Sequence, residues 1–164
     1  RMISFHLFDK EEKVQSKKEE KTQEIQERED SIEIPKIKIS APLIIVGKEE
    51  EVKRALDRGV VLWPASALPG EKGQTIILGH SAPPNWPKIK YDWVFSNLNL
   101  LENGDEIVVY FKNKKYVYRV TNKFFLNRGE ALPRTDPEKS ILFLISCWPP
   151  GKDLRRIAIV ASGN

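Results

Sequence analysis

The chain has 164 residues, 30% of them charged and 40% hydrophobic, which suits one domain with a real core and room for a tail. No apolar run approaches the roughly 20 residues that span a bilayer, and a single cysteine excludes an internal disulfide. The net charge of +4 is unevenly placed: residues 9–30 hold nine acids and six bases, whereas 31–164 hold 20 bases and 14 acids. The basic residues are scattered. No RNA-binding aromatic motif, zinc-finger spacing or helix-turn-helix pattern accompanies them, so nucleic acid is not an expected partner. The chain opens on Arg1, which is compatible with a signal or anchor upstream.

Residues 1–30 and 31–164 read as two regions. "RMISFHLF", with His6, is a short apolar patch, and the charged stretch after it has only Val14 and Ile25 as aliphatic anchors. Such a segment cannot bury a face, so it is expected to be a solvated helix or disorder, a tail or a stalk. From Ile32 the period changes. "IEIPKIKIS" alternates apolar and polar residues like a half-buried strand, and "LIIV" at 43–46 reads as a second. "KEEEVKRALDRG" at 48–59 predicts one helix closed by Gly59. "VVLW" at 60–63 is short and apolar, "PASALPGEKG" is a turn-rich loop, and "QTIILGH" at 74–80 is a strand ending at His80. Three prolines in "SAPPNWPK" forbid a ladder there.

"WVFSNLNLLENGDE" carries apolar residues at helical spacing, with Gly104 as the stop. "EIVVYFK" and "KYVYRVTNKFFL" flank Asn113–Lys114, predicting a hairpin. "NRGEALPRTDPEK" is a long polar loop with at most one helical turn, and "SILFLISC" and "RRIAIVAS" are the last two strands. The count is eight or nine strands and two or three short helices. The expected fold class is therefore mainly β, a closed antiparallel-rich barrel, since closure removes exposed edges.

His80 and Cys147 each end a strand, and Arg155 and Arg156 open the strand after Cys147. Strand ends and loop mouths are where side chains converge on a ligand. Cysteine chemistry needs a thiolate, a proton donor for the leaving amine and a stabiliser for the oxyanion. Cysteine, histidine and arginine supply these three roles, and no acid stands out as a third triad member. Taken alone, however, a cysteine ending an apolar strand is more often a small core hydrophobe. A lone histidine at a strand end is more often a satisfied structural residue, and an arginine pair is more often surface charge. Spacing by itself leaves both readings open.

"TIILGH", then "LFLISC", then "RRIAIVA" resemble the bacterial sortases, cysteine transpeptidases of the cell surface, over most of 32–164. The resemblance implies a sortase-like barrel with His80 as acid/base, Cys147 as nucleophile and Arg156 as oxyanion or substrate clamp. Arg156 falls on the family's arginine position, and strand alternation turns Arg155 to the other face. Ser146 stands where sortases commonly carry threonine. The short "CWPPGKDLRR" connection argues against the housekeeping class-A enzymes and leaves the subclass open. Ser146, Trp148, Leu132 and Pro133 are the expected substrate contacts. "LPRTD" at 132–136 is itself similar to a sorting signal; its expected role is to wall the peptide groove, with an autoinhibitory or self-processing segment the alternative. Some relatives bind calcium through an acidic loop before the histidine strand, but here that loop offers only Glu71, so neither a metal site nor a cofactor is expected.

The implied partners are surface proteins with LPxTG-like sorting signals and an amine acceptor, either a peptidoglycan precursor or a pilin lysine. The implied location is extracytoplasmic, held at the membrane by an anchor absent from this chain. Two rivals stand beside this reading. An L,D-transpeptidase resembles a Ser-His-Gly-Cys signature, whereas "LIS" precedes Cys147 here. A non-catalytic ligand-binding barrel would keep Cys147 buried and inert.

Overall fold

Burial with a period of two organises the chain into strands. In the computed structural model, which describes residues 27–164, these are β1 Ser31–Ile34, β2 Ile39–Ile45, β3 Val60–Leu62, β4 Gly73–Leu78, β5 Glu106–Phe111, β6 Lys114–Asn127, β7 Ser140–Trp148 and β8 Arg155–Gly163. They close into one barrel in the order β1-β2-β3-β4-β7-β8-β6-β5, with β5 paired back to β1. The mainly β, closed architecture expected from the sequence is the one observed. Most pairings are antiparallel, but β2–β3 and β4–β7 are parallel. The expectations for residues 1–26, including His6, lie outside the described residues.

The interior holds Ile32 and Ile34 of β1, Ile77 of β4, Leu142 and Leu144 of β7, and Ile157, Ile159 and Ala161 of β8. Along β7, Ile141, Leu142, Phe143 and Leu144 are all buried. A strand covered on both faces reads as a continuous apolar run rather than an alternation, which is the pattern of "ILFL". A second, smaller cluster lies outside the barrel wall. There Val52 and Ala55 of the one-turn helix α1 (Val52–Ala55) pack with Val46 and Val61, and Leu78 lies against them.

Five local expectations change. "IEIPKIKIS" is not one strand: a 3-10 turn at Pro35–Ile37 and a left-handed Lys38 (φ 55°) fold β2 back on β1, pairing Ile34 with Ile39. "LIIV" belongs to this same β2 up to Ile45. The helix predicted over 48–59 shrinks to a 3-10 turn, Glu49–Glu51, running into α1, because Val52 and Ala55 are its only buried anchors before the turn. The helix predicted around 93–101 is a series of turns with one 3-10 segment, Leu98–Leu100. Val94, Phe95, Leu98 and Leu101 still reach the core, since spacings of three suit a 3-10 path as well. The hairpin turn is Lys112–Asn113, one place earlier than predicted, and both residues have positive φ (48° and 63°), as a type I′ turn requires. Residues 128–139 contain no helical turn.

The last residues before β1 fasten to that hairpin. Asp30 Oδ1 accepts from Lys112 N at 2.9 Å, and the Arg28 guanidinium lies 3.5 Å from the Tyr110 ring centroid.

Gly79 links β4 to the histidine for a packing reason: a Cβ there would run into the Phe95 ring, and Phe95 is itself buried in the core. Gly79→Ala should therefore lower unfolding stability by roughly 1–3 kcal/mol. An unchanged midpoint in urea would show instead that Phe95 has room to shift.

Candidate active site

The parallel register of β4 and β7 sets the site. Leu78 is level with Ile145, and Gly79 N continues the ladder by donating to Ile145 O at 3.2 Å. Two further places along, His80 lies beside Cys147, with neighbouring strands about 4.8 Å apart. On the other side of β7, Cys147 is the direct antiparallel partner of Arg156. The row across three adjacent strand ends is thus His80, Cys147, Arg156. Arg155 pairs with Trp148 instead, and its guanidinium carbon sits 5.5 Å from the Phe125 ring centroid.

A set of hydrogen bonds pins the backbone on either side of this row. Ser146 is buried, and its hydroxyl donates to Gly79 O at 2.7 Å. His80 O accepts from Phe95 N at 2.9 Å. Ser81 Oγ donates to Cys147 O at 3.0 Å and accepts from Gly151 N, also at 3.0 Å. Ser81 therefore ties three segments: the end of β4, the end of β7 and the β7–β8 loop. Gly151 (φ 77°) is needed where that loop crosses, because a Cβ would strike the Pro83 ring.

Charge is arranged on both flanks of the cysteine. Arg156 Nη2 meets Asp153 Oδ1 at 2.7 Å, and Asp153 also meets Arg128 at 3.4 Å. Asp153 and Arg128 are exposed and Arg156 is half-buried, so the pairing orients the guanidinium without locking it. On the histidine side, His80 Nε2 is 3.5 Å from Asp57 Oδ1. Asp92 joins them, with ligand-capable atoms of all three within 4.8 Å of one another. This is a further correction, because no acid near His80 was apparent in the sequence. Asp57 arrives through packing: α1 lies on the outer wall beside Leu78, and the turn after it carries Asp57 toward the residue two places beyond Leu78. Nothing around Asp57 in the chain signals this, since it is one more charged residue in the last turn of the helix predicted over 48–59. Glu71, by contrast, accepts from Leu68 N at 3.1 Å within its own loop.

Cys147 is neither fully buried nor open, and it is free. An open hollow of about 310 Å³ on the histidine side is lined by His80, Ser81, Pro83, Trp86, Asp92 and Gly151. Trp148 is half-buried, its ring 5.2 Å from that of Phe125 and tilted by 49°. Leu132 and Pro133 are held elsewhere. Gln74, near the start of β4, donates to Pro133 O at 2.8 Å and to Thr135 Oγ1 at 3.2 Å. That is six positions before His80, or about 20 Å at roughly 3.3 Å per residue. The structure thus brings His80, Cys147, Arg156 and Ser146 together, and sets Leu132 and Pro133 at the far end of the same strand.

The buried Ser146 hydroxyl makes a specific prediction. Ser146→Ala leaves the Gly79 carbonyl without its donor and should cost about 1–3 kcal/mol of stability. Urea unfolding with an unchanged midpoint would show that the strand ends hold together without it.

The comparisons with known proteins agree with this arrangement. A family model described as a sortase domain matches residues 32–164. Solved structures share the fold. Sortase C-1 from Actinomyces oris is 24% identical with a TM-score of 0.69, covering 86% of this chain and 76% of that one. A lid mutant of sortase A from Corynebacterium diphtheriae is 25% identical with a TM-score of 0.68, covering 87% and 73%. Sortase C1 from Streptococcus agalactiae is 24% identical with a TM-score of 0.67, covering 82% and 66%. No curated protein matches the chain. A barrel of this topology, a matching domain model over nearly all of it and a free cysteine at the end of β7 lead to one conclusion: the chain belongs to the sortase family of cysteine transpeptidases.

Proposed function

We propose that this protein cleaves an LPxTG-like sorting signal between threonine and glycine and transfers the threonyl carbonyl to an amine. The observation that supports this most directly is the row His80, Cys147, Arg156 across the ends of β4, β7 and β8. The Cys147 sulfur bonds to the threonine carbonyl carbon, and the oxyanion that forms is stabilised by the Arg156 guanidinium, held nearby through Asp153. The C–N bond to glycine then breaks as His80 gives its proton to the leaving amine. In the second half, an incoming amine attacks the thioester carbonyl, the C–S bond breaks, and His80 takes the amine proton. Asp57 stabilises the imidazolium that precedes the first proton transfer and is regenerated by the second. Its exposure keeps that contribution small.

The donor on this reading is a surface protein, and the acceptor is a peptidoglycan precursor or a pilin lysine. No helix among the described residues is long and apolar enough to cross a membrane. We place the barrel outside the cell membrane. "LPRTD", bonded to the start of β4, serves as a wall at the distal end of the peptide groove.

A library of LPxTG-like peptides with hydroxylamine as acceptor tests the reaction, read by product formation and by the intact mass of a thioacyl adduct on Cys147. Cys147→Ala should abolish turnover. His80→Ala should reduce it by about 10²–10⁴, and Arg156→Ala by about 10²–10³. Asp57→Asn should reduce it by about fivefold or less. Wild-type rates in Cys147→Ala, or a thiol that alkylates only after denaturation, would overturn the proposal.

A further inference from the structure

The hollow that holds His80 continues outward. It shares Ala82, Pro83 and Trp86 with a larger pocket of about 440 Å³, within the range of ligand sites, about 300–1,000 Å³. The two compartments differ in charge. The inner one is acidic, since Asp92 lines it and Asp57 sits 3.5 Å from the His80 ring. The outer one is lined by Lys38 and Lys88 and by no carboxylate. Neither lysine makes an ion pair among the described residues. Lys88 Nζ instead rests 4.9 Å from the Trp93 ring centroid. The walls are proline and tryptophan, and Trp86 is 54% exposed, which leaves a flat apolar surface for a chain to cover.

A groove with this polarity fits a ligand of the opposite polarity. Its inner end suits an amine, drawn by two carboxylates and able to give a proton to His80. Its outer end suits an anion. We propose that the groove receives the incoming acceptor, and that the preferred acceptor is a short peptide amine bearing a free carboxylate at its other end. This rests on the transpeptidase reading above, because there the incoming amine must surrender its proton to His80 as its nitrogen bonds to the thioester carbon.

The test separates the two readings. Triglycine and triglycine amide are titrated into the protein while the tryptophan indole signals are followed by NMR. The Trp86 and Trp93 signals should move, and triglycine should bind about threefold more tightly than its amide, the size of one exposed charge contact. In Lys38→Glu/Lys88→Glu that preference should vanish or reverse, and 0.5 M salt should flatten it. In turnover, the same ratio should appear in the acceptor KM. Equal affinity for the two peptides, or shifts at Trp63 but not at Trp86 and Trp93, would overturn the groove assignment. Failure to form any thioester on Cys147 would overturn the transpeptidase reading, whatever the peptides do.

Discussion

The parallel pairing of β4 with β7 is the constraint on which the rest of the site depends. Residues 78 and 145 are level in that ladder, and the Gly79–Ile145 and Ser81–Cys147 hydrogen bonds carry His80 past its end alongside Cys147. Because strand side chains alternate, a slip of one place would turn one of the two into the barrel core. The register is therefore strongly held. Leu142, Leu144 and Ser146 take the inward positions of β7, and Ile77 does so on β4. The Ser146–Gly79 hydrogen bond closes the ladder at the point where it matters.

Stability and chemistry here share the same few residues. The inward parity of β7 supplies apolar mass and then, at Ser146, a single buried hydroxyl that finds its acceptor across the strand. The outward parity supplies Cys147 and, across from it on β8, Arg156. Ser81 does the corresponding work in the loops, joining Cys147 O to the backbone of Gly151. The β7–β8 connection is short, and it carries its own orienting carboxylate, Asp153. It can therefore aim the arginine without a long ordered loop.

The site is electrostatically two-sided about the cysteine. One flank is an arginine supported by an aspartate; the other is a histidine beside two aspartates. Each charged group is at least partly solvated, which keeps individual pair energies small. The bias they create is directional instead. In the proposed reaction, anionic character would develop on the Arg156 side of the cysteine, and protons and amines would be handled on the His80 side. The outward groove with Lys38 and Lys88 extends that gradient beyond the reacting atoms.

Much of this was legible in the chain, and the boundary has a physical basis. Period-two alternation, the prolines of "SAPPNWPK" and the apolar run before Cys147 predict strands, a loop and a barrel, because these are local consequences of backbone geometry and burial. The strand endings likewise put forward His80, Cys147 and the Arg155–Arg156 pair, and the resemblance to the sortases singles out Arg156. The fold of "IEIPKIKIS" into two paired strands was not legible, since Ile34 and Ile39 keep the apolar pattern on both sides of the turn. The helix around 93–101 was over-predicted, since its apolar spacing serves a turn-rich plug equally well. Asp57, at the close of a one-turn helix, has no local signature at all. It meets His80 only because α1 packs on Leu78. The sequence by itself determined the strand pattern and the residue types at the strand ends. Only the tertiary structure decided which ends are neighbours, because parallel pairing and outer-wall packing join segments that local periodicity cannot relate.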